Sequence, residues 1–185
     1  HNDIAIIFRN NSSADGIEVN LREYNIPAKR KGGHSFFDSL EVKLSLDIMT
    51  LMLNPNDMMA FIHILEYGKG VGKAISKDLF DALIKLGRGS LMAGLFDPDD
   101  SIKNPYDTNQ KKNIQLGLFD DFIELGSVSK FKDSGFEERF LSNAILKHPK
   151  LSREGGEFIY TFYKLIKELK RIKNPHSMVE HISKS

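Results

Sequence analysis

The sequence predicts a mainly α fold: a small strand–helix–strand α/β segment at the N-terminus, then a helical domain carrying a helix–hairpin–helix. Three observations carry that expectation. Residues 3–8 (Asp-Ile-Ala-Ile-Ile-Phe) form a short, near-continuous apolar run rich in Ile, the pattern of a buried parallel strand. From Leu40 onward the apolar residues recur at helical spacing in successive blocks. Between two of those blocks lies a glycine turn, Gly68-Lys69-Gly70-Val71-Gly72-Lys73.

Taken in order, the strand is followed by the polar stretch 10–13, where Ser12 or Ser13 suits a helix N-cap. Ile17, Leu21 and Tyr24 recur at helical spacing, Pro27 ends that helix, and residues 28–31 extend as a second strand. Leu40, Leu44, Leu46, Ile48, Leu51 and Met52 predict a largely buried helix that stops at Asn54-Pro55. Asp57 caps the next, with Phe61, Ile64 and Leu65 on its apolar side. After the glycine turn, helix resumes from Lys73 to Leu86, with Gly87-Arg88-Gly89 closing it. Residues 97–108 hold Pro98 and Pro105 among polar residues and read as a loop, and residues 114–125 return to helical spacing. The longest predicted helix runs over 153–171, with Phe158, Phe162, Leu165 and Leu169 on one stripe and Ile159 and Ile166 beside it. Pro175 ends it, and another helix starts at Ser177 and is expected to be cut off at Ser185.

Bulk composition limits the function classes. An apolar fraction of 41% with 13 Phe is enough for a packed core. The chain has no Cys, which removes disulfides, thiol catalysis and cysteine-bound zinc. The six His show no helical pair spacing with a carboxylate cluster, so no metal site is expected. No apolar run approaches the ~20 residues of a membrane span, and a cytoplasmic location is expected. Formal net charge is only +1, so a nucleic-acid surface requires local segregation. Acids dominate between residues 97 and 138, and bases between 147 and 173, including Lys164, Lys167, Lys170 and Arg171. Those bases suit either a solvated helix face or a path along duplex phosphates.

Two motifs carry chemistry. The first is Phe8-Arg9-Asn10-Asn11-Ser12-Ser13-Ala14-Asp15, and the second is Gly32-Gly33-His34-Ser35-Phe36-Phe37-Asp38 followed by Glu41-Val42-Lys43. Phe36 and Phe37 suit a core or a base-stacking pair, and Lys43 a solvated surface or a phosphate. With the glycine turn some 30 residues further on, this order resembles the middle of the UvrD/Rep/PcrA group of superfamily 1 DNA helicases. The resemblance implies that the first motif faces the nucleotide, with Arg9 and Asn11 matching the family pattern. Asp15 departs from it, standing where the family usually has an arginine near the γ-phosphate. An acid there repels phosphate, so that role does not carry over, and Arg22 is the nearest other arginine. In relatives the Phe-Phe segment lies near the single-stranded DNA track.

The glycine turn resembles a phosphate-binding P-loop but departs from it. The first glycine is one residue too close, and Ala74 replaces the hydroxyl that holds magnesium. The alternative is a helix–hairpin–helix in which Gly70 and Gly72 allow a tight turn. Lys69, Lys73 and Lys77 surround the free N–H groups of a helix start. In the resembled helicases this hairpin grips the duplex ahead of the fork.

The resemblance thus implies a fragment of an ATP-dependent 3′→5′ DNA helicase acting in repair or replication. Residues 1–56 would belong to motor domain 2A and 57–185 to accessory domain 2B. ATP and Mg²⁺ would serve the parent and not this fragment. The partners implied are duplex and junction DNA and the rest of the helicase polypeptide, with no membrane and no activity for the fragment alone. A rival expectation is a stand-alone helix–hairpin–helix DNA-binding or scaffold protein without a motor.

Overall fold

Asn10, rather than Ser12 or Ser13, starts the first helix: its side-chain oxygen accepts the Ser13 N–H at 3.1 Å. The computed structural model, which describes residues 4–31, 38–106 and 130–184, continues from there as helix α1 (Asn11–Glu23). It ends before Pro27, at Tyr24 and Asn25, the latter in the left-handed region at φ 54°. The predicted strands on either side are not observed: there is no strand among the described residues. Ile4, Ile6 and Ile7 are 72%, 50% and 95% exposed, the reverse of a buried strand. An Ile run supplies β-propensity, but a strand exists only when another supplies its ladder.

Two units divide the chain by their internal contacts, His1–Leu46 and Asp47–Ser185. The first holds α1 and the start of α2 (Leu40–Leu53), which ends before Asn54-Pro55 as expected. Here Arg30 joins the loop after α1 back to the helix. Its guanidinium lies 2.7 Å from Asp15 and 3.6 Å from Glu18, and 6.0 Å from the Phe8 ring centre.

The second unit is built on a helical hairpin, α3 (Met58–Glu66) and α4 (Lys73–Leu86). Asp57 caps α3 by accepting the Ala60 N–H at 2.9 Å. At the far end of α4, Gly87 closes the helix, with Arg88 and Gly89 both at positive φ. A short helix missed in the sequence, α5 (Leu91–Phe96), folds back onto α4. The two backbones meet at Gly94, where an added Cβ would stand 1.9 Å from the Leu83 carbonyl oxygen, so no larger residue fits. After residues 97–106, which are non-helical as expected, come α6 (Glu138–Leu141) and a 3-10 turn at Ala144–Lys147. The helix expected over 114–125 lies outside the described residues.

The longest helix, α7 (Arg153–Leu169), closes the core, and α8 (Pro175–Ile182) follows with Pro175 in its first turn and Asn174 as its cap. Pro175 thus starts a helix two residues earlier than the expected Ser177. On α7 the buried side chains are Ile159, Phe162, Tyr163, Ile166 and Leu169, while Phe158 and Leu165 are half-buried. The stripe is rotated because Tyr163 lies against Phe140 at 4.9 Å and Phe96 at 5.0 Å. Phe61, Phe80 and Phe162 form the centre, with ring centres 5.7 and 5.9 Å apart. Each such buried ring contributes roughly 1.5–3 kcal/mol of hydrophobic stabilisation.

Candidate nucleic-acid interface

The turn between α3 and α4 is set by two anchors and one glycine. Gly68 N–H donates to the Leu65 carbonyl at 3.0 Å, and Val71 N–H to the Gly68 carbonyl at 3.3 Å. Val71 is buried, which pulls the turn inward and leaves Lys69, Gly70 and Gly72 at the surface. Gly70 carries the left-handed geometry, φ 81°, that a side chain resists. Gly72 does not: at φ −87° and ψ 170° it is an extended N-cap residue that any amino acid can adopt.

Gly72 offers no side-chain cap, so the first-turn N–H groups of α4 have no side-chain acceptor. Ser76, fully buried, fixes that turn from beneath by donating its hydroxyl to the Gly72 carbonyl at 3.2 Å. Lys73 and Lys77 stand one turn apart on the exposed face, and Lys69 on the turn itself. The structure therefore groups Lys69, Gly70, Gly72, Lys73 and Lys77 on one hairpin. This is a positive rim around the positive end of a helix dipole, an arrangement suited to phosphate oxygens.

What the sequence did not reveal is that this turn is seated on the start of α7. An added Cβ on Gly70 would lie 2.2 Å from Ser152 Oγ, and one on Gly68 would strike the Phe158 ring at 2.1 Å. Ser152 is itself the α7 cap, accepting Gly155 N–H at 3.0 Å. A second tie runs from α4 to the segment before α7. Buried His148 accepts the Lys150 N–H on Nδ1 at 3.2 Å, so its proton sits on Nε2, 3.4 Å from Asp78 Oδ2. Its ring also stands edge-on to Tyr106 at 4.8 Å. The only local signals for these ties were a Ser three residues before a glycine pair, Gly155-Gly156, and an isolated His.

The bases further along α7 have partners of their own. Lys164 lies 5.1 Å above the Tyr160 ring and Lys170 4.7 Å above Phe96. Lys167 reaches Glu137 at 2.5 Å, and the hydrogen bond it donates holds the Glu137 carboxyl below its ordinary range.

In the first unit, Arg9 is exposed and Asn11 opens α1. Asp15 is an ion-pair partner of Arg30, fifteen residues further along the chain. Lys43 is exposed on α2 with Nζ 3.4 Å from Asp38. Phe36 and Phe37 lie outside the described residues. Among the described residues no group of three His, Asp or Glu is placed to hold a metal ion. No described helix is long and apolar enough to cross a membrane.

Comparison with known proteins matches residues 1–183 to the family described as the UvrD-like helicase C-terminal domain. The chain is 39% identical over 83 residues to the ATP-dependent DNA helicase SRS2 of Saccharomyces cerevisiae, covering 44% of this chain and 7% of the relative. It is 30% identical over 106 residues to the ATP-dependent DNA helicase Rep of Escherichia coli, covering 51% of this chain and 16% of the relative. It is 26% identical over 201 aligned residues to Rep of Buchnera aphidicola, covering 100% of this chain and 29% of the relative. The chain thus spans less than a third of the length of each of these relatives. No solved structure matches it. With a family match running from the first residue to residue 183, the chain belongs to the UvrD-like helicase C-terminal domain family.

Proposed function

We propose that these residues are part of an ATP-dependent 3′→5′ DNA helicase, and that the α3–α4 hairpin is its duplex contact. The names of the relatives, ATP-dependent DNA helicases of yeast and bacteria, support the motor reading. In that reading residues 1–56 belong to motor domain 2A and residues 57–185 to accessory domain 2B. The motor takes ATP and Mg²⁺ through other parts of the polypeptide, and works in repair or replication. Arg9 and Asn11 organise a nucleotide-facing motif, while Phe36, Phe37 and Lys43 line the single-strand track. By itself the chain turns over no ATP.

The observation that carries the duplex contact is the uncapped start of α4, ringed by exposed Lys69, Lys73 and Lys77 on a rigid glycine turn. Backbone N–H groups and point-charge lysines recognise phosphate without reading bases, so binding is independent of sequence. With about two or three phosphates neutralised, log K falls against log salt with a slope of roughly −2 to −3. Fluorescence anisotropy on a short hairpin duplex, over a salt series, measures this. Lys73→Ala is expected to weaken binding to every duplex alike and to reduce the slope by about one. An affinity untouched by Lys73→Ala, with thermal stability unchanged, would mean the hairpin is only a packing turn.

A further inference from the structure

The turn is not a free-standing finger. The α3–α4 hairpin is joined to residues 148–155 at two points, Gly70 of the turn against Ser152 and Asp78 of α4 against His148. Both ties lie beside bases that the hairpin alone does not account for. Lys150 precedes Ser152 by two positions and its own N–H is held by His148; Arg153 follows Ser152 in the first turn of α7. Both side chains are exposed, as are Lys69, Lys73 and Lys77 across the joint.

We propose that the duplex surface continues from the α3–α4 turn onto the start of α7, where Lys150 and Arg153 take a further stretch of phosphate backbone. The proposal rests on the duplex reading of the turn and extends it to a second element. Charge complementarity selects the occupant: bases spread over two rigidly joined elements match a regular row of phosphates better than one compact anion. Of the nearby acids, Asp78 faces His148, Glu154 is exposed beside Arg153 in the first turn of α7, and Glu157 takes Arg153 Nε at 3.1 Å. That second pair is an exposed i,i+4 contact, the kind a phosphate readily displaces. The lysines further along α7 are poorer candidates, because Lys164, Lys167 and Lys170 already lie over aromatic rings.

The test compares three variants of the full chain on a hairpin duplex, between about 50 and 200 mM salt. Lys73→Ala tests the hairpin; the Lys150→Ala/Arg153→Ala pair tests the extension. The double variant should lose about 5–10-fold in affinity per contact near 0.1 M salt and flatten the salt slope by about two. Glu157→Gln, which frees Arg153 without touching the core, should instead tighten binding. Circular dichroism melts of each variant should match the parent chain. If Lys73→Ala weakens binding while neither the double variant nor Glu157→Gln changes affinity or slope, the extension is wrong and the hairpin contact stands. If no variant changes binding, both readings fall together.

Discussion

Gly70 and Ser152 are in direct apposition: the glycine, at φ 81°, leaves room for the serine hydroxyl where a Cβ would stand 2.2 Å from its Oγ. Through this contact the glycine turn is both a loop between α3 and α4 and part of the floor under α7. Its two exposed glycines therefore do different jobs, and mutation separates them.

Gly70→Ala is expected to lower stability by about 1–3 kcal/mol, combining left-handed strain with displacement of the Ser152 cap. Gly72→Ser should be neutral or raise stability by a few tenths of a kcal/mol, since Gly72 is an extended N-cap with nothing within 4 Å of its added Cβ. Thermal melts of the two variants check the contrast. A Gly72 variant that melts well below a Gly70 variant would contradict it.

Asn143 is 1% exposed and joins two segments. It donates to the Gly94 carbonyl at 2.9 Å and accepts the Ile145 N–H at 3.1 Å, tying the 3-10 turn to α5. Asn143→Ala leaves both backbone groups without that partner in a dry site, and about 1–3 kcal/mol of stability should be lost. Chemical denaturation with an unchanged slope is the measurement.

Glu137 gives a pH signature. The hydrogen bond from Lys167, first, and its charge hold the carboxyl below the ordinary glutamate value of 4.5, so the folded chain binds its proton less readily than the unfolded chain. The stabilisation is therefore complete above the ordinary value and disappears as pH falls through the lower folded value. Glu137→Gln should lower the melting temperature at neutral pH. The gap to the parent chain should close as pH is taken from about 5 toward and below the ordinary glutamate range. A gap that persists unchanged in acid would show that packing, not charge, was lost.

The sequence by itself determined most of the helical layout, because helices are local. Asp57 before Phe61, Asn54-Pro55 after Met52, and Gly87-Arg88-Gly89 after Leu86 mark ends that the structure keeps within a residue or two. It also determined that Lys73 and Lys77 share one face of α4, since residues four apart are neighbours through helix geometry alone. Tertiary structure decided everything that needs a distant partner. The N-terminal Ile run is written like a strand, yet Ile4, Ile6 and Ile7 stand in solvent, because a strand requires a ladder that the run cannot encode. Asp15 finds Arg30 across a loop, a pairing that follows from the chain turning back at Asn25. Which glycine bends the turn was likewise settled by packing. Seating the turn on Ser152 forces the left-handed step onto Gly70 and leaves Gly72 extended, and no local pattern distinguishes the two.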